Sequence, residues 1–246
     1  MYHLRATVAT ASRILRQLSH DPRTIALIFV VPCMLLGLLR LLFDENLATF
    51  NTIAPALLGV FPFIVMFIVT SITTLRERIS GTMERLMALP IGKLDLLLGY
   101  MIAFGLLAIV QALLASMVLL YGLGLDIQGP DWFLVLTALS DALLGTALGL
   151  FVSAFARSEF QAVQFMPAFI LPQVLICGLF MPLEQMPGVL ETIAHFLPLT
   201  YAIDALNLTV MHTEVSAEAW WDICVIGLFT IGALLLGTVT LRRKNK

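Results

Sequence analysis

Long apolar runs separated by short polar stretches dominate the chain. A helix needs about 20 apolar residues to cross a hydrocarbon core of about 30 Å, and six runs have 19 or more residues. The pattern therefore predicts six membrane-spanning helices. They lie at residues 25–43, 53–75, 94–121, 132–155, 160–181 and 221–241.

Two further segments are too short or too polar to span. In residues 1–23, apolar side chains recur every three or four positions from Leu4 to Leu18, among several arginines. This pattern favours an amphipathic helix in the membrane interface, with a short cytoplasmic helix as the alternative. Residues 182–211, interrupted at Pro198, favour short re-entrant helices on the outer side.

Composition agrees with a membrane protein. Hydrophobic residues make up 60% and charged residues 12% of the 246 positions, against about 45–50% and about 25% in soluble domains. The 14 Lys and Arg do not exceed the 16 Asp and Glu, which excludes a nucleic-acid binder. Three widely separated cysteines exclude a disulfide-stapled secreted domain. The predicted fold class is all-α integral membrane, with one transmembrane domain over residues 1–246 in a lipid bilayer.

Charge placement sets the predicted topology. With both termini in the cytoplasm, thirteen of the 14 Lys and Arg fall in inner segments, as the positive-inside rule requires. A seventh span at residues 199–211 would put the basic C-terminus outside, so six spans are preferred. The exception is Arg40, near the outer end of the first span, which we expect to snorkel or to pair with Asp44.

Motifs of catalysis are missing from the sequence. It contains no G-x-x-x-x-G-K-[ST], no H-E-x-x-H, no G-x-S-x-G and no Cys/His cluster. We therefore expect no enzyme activity, no metal site and no nucleotide site in this chain. Asp141 is the clear ionisable residue inside a span. One hypothesis is that Asp141 couples transport to protons or ions. The preferred alternative is a buried carboxylate that forms hydrogen bonds with neighbouring helices or lies near enough to the outer face to be hydrated.

Small residues line one side of the fourth span. They recur at helical spacing, which allows close helix contact. Packing within the protomer is the preferred interpretation and dimerisation is the alternative. The residues are Ala138, Ala142, Gly145, Gly149 and Ser153.

The segment 76–90, between the second and third spans, concentrates charges of both signs. Ser80 or Thr82 can cap a short helix that Pro90 ends. Such a helix, with an apolar ridge at Leu86, suits docking into a groove of another protein. A solvated loop is the alternative.

Three passages resemble motifs of the ABC type-2 permease family, which are membrane subunits of ATP-driven exporters. The match extends along most of the chain. One passage precedes the first span, with His20 in the position where the family usually has arginine. The passages are Asp21-Pro22-Arg23, then Glu77-Arg78-x-x-Gly81-Thr82-x-Glu84-x-Leu86-x-x-x-Pro90, and then Leu197-Pro198-Leu199-Thr200-Tyr201-Ala202-x-Asp204-Ala205.

The resemblance implies a partner and a place of contact. Segment 76–90 would form the coupling helix that sits on an ABC ATPase, which would bind ATP and Mg. Two such ATPases would work with two permease copies, as a homodimer, in the bacterial cytoplasmic (inner) membrane. The residues implied in coupling are Glu77, Arg78, Gly81, Thr82, Glu84, Leu86 and Pro90.

The resemblance also implies a pathway at the dimer interface, lined by the second and fifth spans. The alternative is that these side chains are ordinary packing or lipid-facing positions. Aromatic and Met side chains suit an apolar or amphipathic cargo. The pathway candidates are Phe61, Phe63, Phe67, Phe165, Met166, Phe169 and Gln173. The residues implied in the outer cap are Pro198, Thr200, Tyr201 and Asp204.

The sequence thus favours the permease subunit of an ABC exporter. The cargo would be hydrophobic or amphipathic, of the drug, lipid or glycan type, and would move outward. An ion-coupled secondary carrier that uses Asp141 is the alternative. A structural membrane protein or a sensor is a third hypothesis, against which segment 76–90 argues.

Overall fold

A computed structural model describes residues 2–88 and 92–240 of the chain. Within these ranges the chain forms ten α-helices and no strand. A π-helical turn, Val118–Gly122, extends α5, and a 3-10 turn, Leu183–Gln185, precedes α8. The helices are α1 (Tyr2–Ser19), α2 (Pro22–Leu42), α3 (Leu47–Ile79), α4 (Thr82–Met87), α5 (Lys93–Met117), α6 (Asp131–Ser153), α7 (Glu159–Ile176), α8 (Gly188–Ala194), α9 (Pro198–Met211) and α10 (Ala217–Thr240).

Six helices are long and apolar enough to cross a membrane: α2, α3, α5 with its π-turn, α6, α7 and α10. The prediction of six spans is confirmed. Two sets of bounds were wrong. The fifth helix ends at Ile176 rather than at residue 181, because Gly178 adopts a φ of 93° that a helix cannot continue through.

The second span is longer than the predicted 53–75. Asn46 starts α3 early, since its side-chain oxygen accepts a hydrogen bond of 3.2 Å from the Thr49 backbone N–H. At the other end the helix continues to Ile79, so residues 76–79 are helical and do not belong to a loop. With 33 residues, α3 is about 50 Å long and extends beyond a hydrocarbon core of about 30 Å.

Helices α3 and α6 form the centre of the bundle. A Cβ atom on Gly145 would lie 2.5 Å from the Phe63 carbonyl oxygen, and one on Gly149 would lie 2.6 Å from that of Phe67. Only glycine permits such a close approach of two helix backbones. Ala142 of the same ridge is fully buried. The small-residue ridge therefore packs within the protomer, as preferred.

Helix α1 packs along α5. Its buried side includes Ala11, Ile14 and Leu18, and a Cβ on Gly99 of α5 would lie 2.6 Å from the Thr10 Cβ. The amphipathic helix in residues 1–23 is confirmed as a helix, while its place in a membrane interface stays a prediction. At its end, the Asp21 side chain caps α2 by accepting hydrogen bonds from Thr24.

The bundle has two chemically different ends. The basic end is formed by α1, α4 and the turn 154–158 between α6 and α7. The acidic end is formed by α8, α9 and the connection 123–130 between the π-turn and α6. There α8 and α9 meet at 92°, and Gly129 donates a backbone hydrogen bond of 3.0 Å to Thr209 of α9. Short helices between the fifth and sixth spans are thus observed, and their re-entrant position stays a prediction.

Candidate functional site

The candidate coupling site lies where α3 turns into α4 at the basic end. Gly81 has a φ of 74°, a left-handed conformation that other residues adopt at a cost. A Cβ there would meet nothing within 4 Å, so the backbone angle and not the available space requires glycine. The Gly81 carbonyl accepts a bond of 3.1 Å from the Arg85 N–H, and the hydroxyls of Ser80 and Thr82 are 3.0 Å apart.

Glu77 joins α3 to two other helices. Arg13 of α1 donates two parallel hydrogen bonds to its carboxylate, at 2.9 and 2.7 Å, and the hydroxyl of Tyr100 of α5 donates a third. Burial lowers the pKa of Arg13, but the hydrogen bonds and charge of Glu77 outweigh it, so the pKa is raised. Glu77 is only 3% exposed. Glu77 therefore faces inward, and its predicted part in coupling stays a prediction.

The residues on either side of Glu77 join α3 to the start of α7. Arg76 donates to both carboxylate oxygens of Glu159, each at 2.9 Å. Arg78 donates to the backbone carbonyl of Ala156 in the turn before α7. Sequence reasoning missed these partners, although opposite charges in two inner segments were a usable signal. Arg78 thus also bonds within the chain rather than standing free.

Helix α4 packs its apolar side onto the bundle. Met83 is buried beside Tyr100 of α5, while Leu86 and Met87 are half-buried against the core. The predicted apolar ridge at Leu86 therefore points partly inward, and Arg85 is left exposed. Pro90 and the Glu84 side chain lie outside the described part of the chain.

The predicted pathway residues divide into two groups. Phe63 and Phe67 are fully buried in the contact with α6, so in this structure they are packing residues, and this part of the prediction was wrong. Phe61, Phe165 and Met166 are half-buried, and Phe169 is 50% exposed. Gln173 is buried and its amide donates to the Phe169 carbonyl at 2.9 Å. A pathway role for the exposed side of α7 stays a prediction.

The acidic end holds two cavities. One, of about 440 Å³, is lined by Asp204, Glu184, Glu191 and Glu218 together with His195 and other residues. The other, of about 460 Å³, includes Asn51, Thr52 and Asp126 in its lining. Asn207 and Met211 of α9 line both cavities, so the two adjoin.

The remaining predicted outer residues hold α9 in place. Pro198 and Thr200 are buried at its first turn. The Tyr201 hydroxyl donates to the His195 carbonyl at 2.7 Å and so joins α9 to the end of α8. These three residues therefore make packing and hydrogen-bond contacts within the chain, whereas Asp204 faces a cavity.

Asp141 lies at the junction of α6, α3 and α9. It is 0% exposed, and neither carboxylate oxygen has a hydrogen-bond partner among the described residues. One oxygen lies 3.4 Å from the point that a Cβ on Gly59 would occupy, beside Leu206. The expected hydrogen bonds from neighbouring helices are therefore not observed among the described residues. Arg40, in contrast, does pair with Asp44, at 2.8 Å.

The pattern of helices and the turn at Gly81 agree with a comparison to known families. The model of the family described as ABC-2 type transporter matches residues 5–211. The chain belongs to the ABC-2 type transporter family. This membership identifies a membrane transport component. Within residues 2–88 and 92–240, no group of three His, Cys, Asp or Glu is placed to hold a metal ion.

Curated relatives are similar at low identity. "ABC transporter G family member 20" of Dictyostelium discoideum is 25% identical over 206 residues, which are 82% of this chain and 28% of that protein. "Probable multidrug ABC transporter permease YbhS" of Escherichia coli (strain K12) is 25% identical over 210 residues, 84% of this chain and 55% of the relative. "Nodulation protein J" of Rhizobium leguminosarum bv. viciae is 31% identical over 117 residues, 46% and 45% of the two chains.

The chain thus spans about half the length of these bacterial relatives and about a quarter of the Dictyostelium protein. The part that matches includes the turn from α3 to α4 and most of the bundle. The family assignment therefore rests on the transmembrane region itself.

Proposed function

We propose that the chain is the permease subunit of an ABC exporter, driven by ATP hydrolysis on a separate ATPase that binds ATP and Mg. One observation supports this most: three consecutive residues at the end of α3 join it to α1, α5 and the start of α7. Their carboxylate and guanidinium bonds make the basic end one connected unit. A push on α4 would reach four other helices through it.

The order of contacts suggests how motion would travel. Closure of the ATPase pair would displace α4, which is held to the bundle by Met83. Since Gly81 connects α4 directly to α3, the displacement would pass into α3. Glu77 would carry it to α1 and α5, and Arg76 would carry it to α7. Helix α7 is the least buried of these, so it is the one best able to move.

The assembly would contain two permeases, as a homodimer, and two ATPases. The basic end would face the cytoplasm of a bacterium, in its inner membrane, because arginines concentrate there. Cargo would pass between the two copies along the exposed side of α7, near Phe165 and Phe169. Their rings lie 6.2 Å apart, edge to face, and suit a hydrophobic or amphipathic cargo of the drug, lipid or glycan type. The word multidrug in the name of the relative YbhS supports a drug-type cargo.

The turn at Gly81 provides the sharpest test. In proteoliposomes that contain the permease and its ATPase, we expect Gly81→Val to preserve ATP hydrolysis but to lower cargo moved per ATP at least tenfold. The reason is that a β-branched residue resists φ > 0 and would redirect α4. Gly37→Val is the matched control, because Gly37 also has open space around it but no positive φ. Normal transport by the Gly81 variant would refute the coupling role.

The carrier alternative rests on Asp141 and is less well supported. Asp141 lines neither cavity of the acidic end. A carrier would transport cargo in vesicles that have a proton gradient and no ATPase, and Asp141→Asn would abolish that transport. If this were observed, the carrier hypothesis would replace the exporter.

A further inference from the structure

The basic end has a surplus of cations that the protein itself does not neutralise. Its four described carboxylates all have partners inside the chain: Glu77 with Arg13, Asp95 with His3, Glu159 with Arg76, and Asp21 as the cap of α2. Other cations of this end are exposed and form no ion pair with a described residue. Three of them lie together at the start of the chain, and we call them the arginine row: Arg5, Arg16 and Arg23.

Two members of the arginine row, Arg5 and Arg16, lie on one side of α1, and Arg23 follows in the first turn of α2. Arg5 and Arg16 are eleven residues apart, which is about three helical turns, so they point in nearly the same direction about 16 Å from each other. The small side chains Ala9 and Ser12 lie between them and, with Arg16 and His20 among others, line a shallow depression of about 610 Å³ along the helix. At that separation, Arg5 and Arg16 can each bind a separate anionic group.

The neighbouring side of α1 is apolar and exposed. Leu4 is 70% and Val8 is 55% exposed, and helical geometry places both within a third of a turn of one another and next to the arginine side. Arg23 begins α2, whose Val30 is also exposed. Apolar side chains that border arginines match the boundary between acyl chains and phosphates, where arginine stems lie in the apolar layer and the guanidinium reaches the headgroup.

We propose that the arginine row is a binding surface for anionic phospholipids, with the guanidinium groups on lipid phosphates and the Leu4–Val8 side on acyl chains. Charge complementarity favours anionic headgroups, since no described carboxylate of the basic end forms an ion pair with these cations. The exposed apolar side favours a membrane over a soluble protein. This inference does not depend on the proposed export function, because it concerns the isolated membrane chain.

The test measures lipid affinity directly. The purified full-length chain is titrated in detergent with phosphatidylglycerol, or with phosphatidylcholine of the same acyl chains, and native mass spectrometry gives the dissociation constants. We expect tighter binding of phosphatidylglycerol, and a preference that weakens about fivefold for each arginine removed in Arg5→Gln, Arg16→Gln and Arg23→Gln. Arg157→Gln is the matched control, because Arg157 is exposed at the same end but lies outside the row.

Wild-type chain gives a second measurement that needs no variant. Rising salt should reduce the preference for phosphatidylglycerol without changing phosphatidylcholine binding. Equal affinities for the two lipids in the wild-type chain would overturn the proposal, as would an equal loss in Arg157→Gln. An intact preference in the triple variant, combined with weaker binding of the ATPase, would also overturn it and would assign the row to a protein partner.

Discussion

The two ends of α3 are held in opposite ways. At the basic end, Arg76, Glu77 and Arg78 each bond to a different part of the bundle. At the acidic end, α3 borders a cavity through Asn51 and Thr52. The charged residues that line the two adjoining cavities there are carboxylates, and no Lys or Arg lies among them. Under the proposed function, we expect force to enter through the connected end and to be released at the end that has room to rearrange.

The same contrast separates two helices inside the membrane region. More than half of α3 is buried, at 18 of 33 residues, whereas α7 buries three of 18. A helix with few buried contacts opens or moves at a low free-energy cost. We therefore expect α3 with α6 to stay fixed to each other and α7 to change position.

The largest effect should come from breaking the fixed pair. In Gly145→Val, the new side chain would overlap the Phe63 carbonyl, and neither backbone can yield easily. We expect the free energy of unfolding to fall by about 3 kcal/mol or more. Thermal unfolding in detergent, followed by size-exclusion chromatography, measures this. Gly232→Val in α10 is the control, since open space surrounds Gly232. Equal stability of the two variants would contradict the packing account.

A smaller effect should follow from loosening the basic end. Glu77→Gln removes the charge that Arg13 and Tyr100 share, and we expect a loss of about 2 kcal/mol in the free energy of unfolding. The cargo moved per ATP should fall as well, because α1 and α5 lose their link to α3.

A double-mutant cycle isolates that interaction. Arg13→Gln combined with Glu77→Gln should cost clearly less than the sum of the two single changes. Additive losses would show that the bidentate pair seen here does not contribute as a pair.

The smallest change in stability should come from Arg76→Gln. Both Arg76 and Glu159 are about half exposed, and such ion pairs contribute about 0–1 kcal/mol to folding. This variant tests the comparison through transport, since the pair joins α3 to α7, the helix that we expect to move. We expect a nearly unchanged free energy of unfolding and slower cargo transport. Glu159→Gln should show the same two effects as Arg76→Gln. Unchanged transport in both variants would remove α7 from the proposed route of motion.

The length of the apolar runs predicted the number of spans, and the helical spacing of small residues predicted the small-residue ridge. Both patterns are local in the sequence. Hydropathy could not separate Phe63 from Phe61, since an apolar side chain in a membrane span satisfies the same pattern whether it faces lipid or a neighbouring helix. The partners of Glu77 lie 64 and 23 positions away, and no local pattern encodes such pairing. The resemblance singled out the motif residues of segment 76–90, of which Glu77 and Arg78 bond inward. Their role in coupling stays a prediction.

Helix α3 has a simple mechanical consequence. Phe63, where Gly145 touches its backbone, is the middle residue of Leu47–Ile79. If α3 and α6 turn together about that point, α3 is a lever with two equal arms of about 24 Å. A sideways push at Ile79 would then return an equal displacement in the opposite direction at Leu47. The stroke would be reversed but not amplified, so the cavity beside Asn51 would widen by no more than the distance that α4 is pushed.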